Sequence, residues 1–236
     1  MPGFPKAKWV LDPSPEVCTS LLVDHELHGA HRPWAITAAF GDNLDTQARK
    51  LAAEAGMTTE DTERLAELGR LLNYNAYGDT VADLHFHPAD LYAALKPYVD
   101  PLAAWNGAPQ VKRLRAAHAE DWAFAGKIKP ALETPGSVAV LLPAAPWARR
   151  VHGVLANRMA DQAPSKASAV LVENEDGTVR VSVRAPKARP TGADRLCRGF
   201  ETGGGRALAA GISRLPRDQV DQFLQRFEQA FPGPSA

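Results

Sequence analysis

"RGFETGGGRALAAGI" covers residues Arg198–Ile212 and places three consecutive glycines before an arginine and a run of small residues. Ordering a glycine costs about 1 kcal/mol relative to alanine, because glycine loses more backbone freedom on folding. Such a run predicts a place where the backbone itself is needed, and the amides of Gly203–Gly205 with the guanidinium of Arg206 are suited to hold an anion such as phosphate. The alternative interpretation is a flexible turn with a solvated arginine.

The residues on either side of this stretch predict an α/β domain over residues 135–236. A short apolar strand, a helix, and a hairpin around Asp176-Gly177 precede the glycines, and Asp-Gly is a strong hairpin signal. A short helix, the glycine loop, a strand and an amphipathic helix then complete the predicted order. The glycines fit neither a dinucleotide-binding fingerprint nor a P-loop. We therefore expect a mixed sheet with a loop at Gly203–Gly205.

The remainder of the chain predicts a different organisation. Residues 1–75 carry apolar residues at helical spacing, and Thr58 or Thr59 is suited to cap one of these helices. Residues 76–134 contain polar turn residues, several prolines and one amphipathic helical run, so we interpret them as a connector between two domains.

The composition of the chain limits the kinds of partner that it can bind. The formal net charge is zero, which excludes a strongly electropositive whole-protein field and leaves a local patch as the means of binding a polyanion. Two cysteines, Cys18 and Cys197, are too few for a disulfide framework. The sequence contains no apolar run of membrane-spanning length and no signal-peptide core near its N-terminus. We expect a cytoplasmic protein without membrane contact.

The motif order in the last hundred residues resembles the DHHA1 domain of DHH-family phosphoesterases. The resemblance lies in Ser182 and Arg184 at the end of a strand, in Gly203–Gly205, and in the small residues Ala209–Gly211. It implies that Arg184, the glycines and Arg206 bind the substrate phosphate. Arg206 stands where the family has a histidine; an arginine still pairs with phosphate but cannot act as a neutral donor or proton shuttle.

The N-terminal part also resembles this family. "AITAAFGDN" is similar to a family helix that ends at a metal-binding aspartate, a position that Asp42 takes. The family activity implied is phosphodiester hydrolysis with two divalent ions, often Mn²⁺, held by aspartates. The family's Asp-x-Asp and Asp-His-His motifs are absent, and Asp24-His25 lies within a predicted helix and is interpreted as a decoy. We interpret residues 1–75 as the C-terminal part of a DHH-like domain, and assign no catalytic residue.

Other residues offer weaker candidates. Arg158 lies on a helix that flanks the nucleotide cleft in the resembled domain, so the resemblance makes it a further candidate for substrate contact. His85 and His87 are two apart, a spacing that permits metal binding in a strand, although we favour polar connector residues. "KRLRAAHAEDW" is a small basic patch that is suited to contact a nucleic-acid backbone. In a protein without net charge, such a short patch is weak evidence for nucleic-acid binding.

Two functions remain open. In the first, the chain is a DHH/DHHA1-type phosphoesterase acting on short oligonucleotides or dinucleotides, incomplete for catalysis without further metal ligands. In the second, it is a non-catalytic module that binds nucleotide or single-stranded nucleic acid. A structural remnant that serves for packing or homodimer formation is a third hypothesis.

Overall fold

The computed structural model describes residues 9–233. The argument against a signal peptide used residues 1–8 in part, and these lie outside the described residues. The chain divides into two compact units, one formed by residues up to Ala76 together with His85–His118, the other by Tyr77–Leu84 and the residues from Ala119 onward.

The first unit is helical. Its helices are α1 (Thr19–Glu26), α2 (Arg32–Gly41), α3 (Asp45–Glu54), α4 (Thr59–Tyr74), α5 (Pro88–Leu95) and α6 (Pro101–Gly107), and α7 (Pro109–Ala125) contains the division between the units. The predicted cap of α4 is confirmed at Thr58, whose hydroxyl accepts a hydrogen bond from the Asp61 amide at 3.1 Å. Leucines and aromatic residues on the inner faces of these helices form two hydrophobic clusters.

Prolines of the middle segment begin helices. Pro88, Pro101 and Pro109 each occupy the first position of α5, α6 and α7. Proline is suited to that position because its missing amide hydrogen would have no partner in the first turn and its φ angle is already helical. The sequence analysis predicted a helical and loop connector with one helical run in this segment, and the structure has α5 and α6 before that run.

The second unit contains a six-stranded mixed sheet. Its strands are β1 (Pro130–Glu133), β2 (Ser137–Leu142), β3 (Ala167–Glu173), β4 (Val179–Arg184), β5 (Gly203–Gly205) and β6 (Ala209–Leu215), in the order β1-β2-β3-β4-β6-β5. Strands β2 and β3 are parallel and are joined through α8 (Pro146–Gln162), whereas all other neighbours are antiparallel. The predicted fold class, a helical N-terminal part followed by an α/β domain with a mixed sheet, is confirmed.

The core of the second unit lies between one face of the sheet and two helices, α9 (Ala193–Cys197) and α10 (Val220–Ala230). The predicted apolar stripe of α10 is confirmed, with Phe223 and Phe227 fully buried. Cys197 lies in the same cluster, and burial raises the pKa of its thiol to about 12.

The three glycines form the edge strand β5 rather than the predicted loop. Gly203 pairs with Ile212 and Gly205 with Ala210 of β6. Of the three, Gly205 has a positive φ, at 134°. Glycine has a low intrinsic preference for β-strands, so the pairing with β6 accounts for this extended conformation.

Candidate functional site

One face of the sheet carries the polar side chains of β4. Its valines are buried with α9 and α10, while Arg180, Ser182 and Arg184 alternate with them and are half-buried. Ser168 of β3 lies opposite Arg184 and donates a hydrogen bond to the Ala156 carbonyl of α8 at 3.3 Å. Since opposed residues in antiparallel strands share a face, α8 lies on the same side of the sheet as Arg184.

The glycines of β5 differ in what surrounds them. A Cβ atom at Gly203 would overlap the carbonyl of Cys197, and one at Gly205 would come within 2.5 Å of the Ala210 Cα atom. A Cβ atom at Gly204 would meet none of the described residues within 4 Å. Packing therefore explains two of the glycines, and the middle one faces open space.

That open space is a cavity of about 400 Å³ over β4, β6 and β5. Its floor is Ser182, Gly204 and Gly211, where Ser182 opposes Gly211 and Gly211 opposes Gly204. Because two of these three residues lack a side chain, main-chain atoms form much of the floor. We call this cavity and the adjoining end of β4 at Arg184 the glycine groove.

Arg184 and Arg206 lie near each other beside the 400 Å³ cavity, although neither is among the residues that line it. Arg184 opposes Ala209 in β6, and the backbones of Arg206 and Ala209 exchange hydrogen bonds of 2.9 and 3.1 Å. The Arg184 Nε atom donates to Asn157 Oδ1 of α8 at 2.8 Å. Burial, and then the positive charge of Arg206, lower the pKa of Arg184. This electrostatic strain would be relieved by an anion bound between the two arginines.

Helix α8 contributes fewer side chains to the candidate site than the sequence predicted. The Arg158 guanidinium lies over the Trp122 ring at 4.7 Å, and Arg158 is not among the residues that line the 400 Å³ cavity. Arg149 and Arg150 are buried, and form ion pairs of 2.5 and 2.8 Å with Asp83 and Asp121. Asn157 is therefore the α8 side chain that the structure joins to Arg184.

Asp42, the predicted metal ligand, belongs to the first unit. It follows α2, is exposed, and lines a cavity of about 530 Å³ together with Asp24 and His31. Asp24 is buried; its Oδ2 atom accepts a hydrogen bond from Arg32 at 3.2 Å, and its Oδ1 atom has no partner among the described residues. Within residues 9–233, no group of three or more His, Cys, Asp or Glu side chains could hold a metal ion. The described residues thus do not by themselves fit the two-metal centre that the family resemblance implies.

The histidine pair has structural partners. His85 Nε2 lies 2.7 Å from the Tyr74 hydroxyl, and His87 Nδ1 accepts a hydrogen bond from the Ala89 amide at the start of α5. These contacts support the interpretation of both as polar structural residues.

Two arginines of the predicted basic patch contact aromatic rings within the first unit. Arg115 lies 3.6 Å from the Trp105 ring centroid, and Arg113 lies 5.2 Å from that of Phe86. Each ring covers one face of a guanidinium group.

Arg180 is a groove residue that the sequence analysis missed. It lines the 400 Å³ cavity and forms an ion pair of 2.5 Å with Asp79. The strict alternation in "VRVSVR" was the available signal, since Arg180, Ser182 and Arg184 share one face of a strand. The contribution of Asp79 could not be inferred, because it is 101 residues away in sequence.

Comparison with known families identifies the domain. Residues 136–232 match the model of the DHHA1 domain. No curated protein matches the chain in sequence. The second unit therefore contains a DHHA1 domain.

Solved structures share this fold. A member of the s1p family of ribosomal proteins with a DHH domain matches with a TM-score of 0.51 and 16% identity, over 88% of this chain and 50% of that chain. The present chain thus spans half the length of that structure. A pGpG-specific phosphodiesterase from Vibrio cholerae matches with a TM-score of 0.49 and 13% identity, over 78% and 72% of the two chains. An exopolyphosphatase-related protein from Bacteroides fragilis gives 0.36 and 16%, over 79% and 55%.

The described part of the first unit is helical and does not form a full DHH domain. None of its helices, and none elsewhere in residues 9–233, is long and apolar enough to cross a membrane.

Proposed function

We propose that the DHHA1 domain binds the phosphate of a nucleotide or short oligonucleotide in the glycine groove, as the substrate-holding part of a DHH/DHHA1-type phosphoesterase. The residues proposed to contact the phosphate are Arg184, Gly203, Gly204, Gly205 and Arg206, and Arg158 remains a further candidate although it packs over Trp122.

Gly204 is the observation that carries this proposal. Its two neighbours must be glycine for packing reasons, but the space above Gly204 would accept a side chain. A glycine there is costly to order and gains nothing from packing. Its absent side chain leaves main-chain atoms open to a ligand, beside Ser182, which supplies a hydroxyl donor.

The two arginines supply the charge. Arg184 and Arg206 approach closely enough for the charge of Arg206 to lower the pKa of Arg184. Neither arginine has a carboxylate partner among residues 9–233, and like charges brought together in this way favour the binding of an anion, which guanidinium groups can hold in a bidentate geometry. An arginine donates hydrogen bonds but does not give up its proton, so the role proposed for Arg206 is to bind and orient the phosphate.

Calorimetric titration with the 5′-phosphorylated diadenylate pApA tests the proposal. We expect binding that weakens with added salt. The affinity for pApA should fall about tenfold or more in Gly204→Val, because the valine side chain fills the groove. Gly153→Val is the matched control, because a Cβ atom at Gly153 also meets no described residue within 4 Å but lies on α8 outside the cavity. Equal affinities of the two variants would refute the assignment.

Hydrolysis is the further part of this proposal. Asp42 is proposed as a ligand of Mn²⁺ or another divalent ion, with additional ligands beyond those among the described residues. A Mn²⁺-dependent cleavage assay on pApA checks this: turnover should be lost in Asp42→Ala and retained in Asp90→Ala, which removes an exposed carboxylate at the start of α5.

The second candidate function is a non-catalytic module that binds nucleotide or single-stranded nucleic acid. The ligand set favours it, since the described residues offer no group of three metal-binding side chains. Binding of pApA that depends on Arg184, without turnover at any Mn²⁺ concentration, would support this function over the first.

We place either activity in the cytoplasm, where free thiols such as Cys18 and Cys197 persist. Homodimer formation remains a proposal, to be checked by analytical ultracentrifugation.

A further inference from the structure

The cavity of about 530 Å³ in the first unit is a groove between α1 and α2 with mainly apolar walls. Trp34, Ala35 and Ala38 line it from α2, and Val23 and Leu27 line it from α1 and the residue that follows α1. Val23 and Leu27 are each about half exposed to solvent. We call this cavity the α1–α2 groove, and its open apolar walls are suited to the body of a small ligand.

The Trp34 side chain is held in a fixed position in this wall. Its Nε1 atom donates a hydrogen bond to the Tyr98 carbonyl at 3.1 Å. A fixed indole ring offers a flat apolar surface, and the face of such a ring attracts cations as well as other flat groups. The wall thus favours a flat ligand.

Asp24 places a buried carboxylate in the same groove. Its side chain lines the cavity but is 6% exposed. The Oδ2 atom accepts a hydrogen bond from Arg32 Nε at 3.2 Å, whereas the buried Oδ1 atom has no partner among residues 9–233. A buried carboxylate oxygen without a donor is costly, so Oδ1 calls for a donor that a ligand in the groove can supply.

Asp24 and Asp42 lie near opposite ends of the α1–α2 groove. Arg32, the partner of Asp24, begins α2, and Asp42 follows the last residue of that helix. The 10 residues of α2 span about 15 Å. A single metal ion cannot bridge that length, because metal–oxygen distances do not exceed about 2.6 Å. The Asp24 end of the groove therefore fits a different kind of ligand from the metal proposed at Asp42.

We infer that the α1–α2 groove binds a small, flat organic cation, such as an aromatic amidine or amine. Its charged nitrogen donates to Oδ1 of Asp24, and its apolar body packs against Trp34 between Val23 and Leu27. Asp24, Asp42 and Arg32 together leave this region with a negative formal charge, which favours a cation over a neutral donor. The site lies within the first unit and is additional to the phosphate site proposed in the second.

Three ligands of nearly equal shape test the inference on the full chain. Benzamidine is cationic, benzamide is neutral and benzoate is anionic, and all three carry the same ring. In calorimetric titrations we expect benzamidine to bind about tenfold more tightly than benzamide, and benzoate to bind least tightly. Equal affinities for benzamidine and benzamide would overturn the inference.

Asp24→Asn tests the carboxylate. The variant should lose most of the preference for benzamidine over benzamide, because it removes the charge that the amidinium meets. Asp90→Asn is the matched control, since Asp90 is an exposed carboxylate in the first turn of α5; this variant should keep the preference.

A second variant leaves the pair of Asp24 and Arg32 intact. Ala38 is exposed and lines the groove, so the larger side chain of Ala38→Leu should fill part of it and weaken benzamidine binding about fivefold or more. Ala93→Leu makes the same change at an exposed position of α5 that does not line the groove, and should bind benzamidine as the wild type does.

The remaining outcomes separate this site from the one proposed at Asp42. Benzamidine binding that is lost in Asp42→Ala but kept in Asp24→Asn, or that Mn²⁺ fully displaces, would place the cation at Asp42 and refute the assignment. Binding that neither Asp24→Asn nor Ala38→Leu weakens would place benzamidine outside the groove and refute it as well.

Discussion

At the scale of single residues, Gly203 and Gly204 are neighbours with different reasons for being glycine. A Cβ atom at Gly203 would overlap the Cys197 carbonyl, whereas one at Gly204 would meet nothing among the described residues. The sequence indicated that the run was special, but it could not assign a reason to each position. That assignment needs the α9 backbone and the pairing with β6.

This difference predicts opposite effects of two alanine substitutions. Gly203→Ala should lower the free energy of unfolding by about 2–4 kcal/mol, because α9 or β5 must shift. Gly204→Ala should change it by less than about 0.5 kcal/mol. Urea denaturation of both variants provides the measurement, and a large loss for Gly204→Ala would show that packing also requires this glycine.

Asp83 predicts a dependence of stability on pH. Its carboxylate is desolvated by burial, but hydrogen bonds from Arg149 and from the amides of Asp79 and Thr80 outweigh that effect and lower its pKa. A carboxyl group with a lowered pKa stabilises the folded state above its unfolded pKa of about 3.9 and loses this contribution as the pH falls towards the folded value.

Asp83→Asn should therefore cost about 3–5 kcal/mol at pH 7, because it leaves a buried arginine without its counter-ion. The cost should shrink at pH 3, because below the unfolded pKa of about 3.9 the unfolded chain takes up the proton and the folded carboxylate loses part of its contribution to stability. Urea denaturation at both pH values checks this, with Asp161→Asn as the exposed control. An equal cost at the two values would contradict it.

At the scale of elements, the strands and helices that carry strong local sequence signals were predicted. The Asp176-Gly177 hairpin, the α10 stripe and the strand at Ser137–Leu142 all have such signals. β1 was missed because its residues are mainly exposed and begin with proline, which is typical of an edge strand rather than of a recognisable apolar run. β5 was missed because its pairing with β6 overrides the preferences of glycine.

Thr202 fixes β5 against the end of β6. Its hydroxyl donates to the Arg214 carbonyl at 3.2 Å and accepts from the Arg214 amide at 2.9 Å. Thr202→Val should lower both stability, by about 1 kcal/mol, and the affinity for pApA, since the floor of the glycine groove loosens. Thr134→Val is the matched control, because Thr134 accepts from the Ser137 amide at 3.0 Å in the β1–β2 turn; it should lower stability alone.

At the scale of the whole molecule, the two units have separate hydrophobic clusters. The sequence analysis placed domain boundaries near residues 75 and 134, from a change in the pattern of apolar and turn residues, and those boundaries stay a prediction. It could not predict that residues 77–84 join the second unit, because the ion pair between Asp83 and Arg149 joins residues 66 apart in sequence.

Separate cores predict separable unfolding. Phe227→Ala should destabilise the second unit by about 3–5 kcal/mol, and Leu68→Ala the first by about 2–5 kcal/mol. We expect two transitions in scanning calorimetry, with each variant shifting one of them more than the other. A single transition that both variants shift equally would show that the units unfold together.

The burial of Cys197 has a practical consequence. A thiol with a pKa of about 12 provides almost no thiolate near neutral pH, while Cys18 is half-buried. A maleimide dye should therefore attach to the native protein at one position, two residues before Ser20, which lines the same cavity as Asp42. Fluorescence of that dye would test the metal binding proposed at Asp42 without any engineered cysteine.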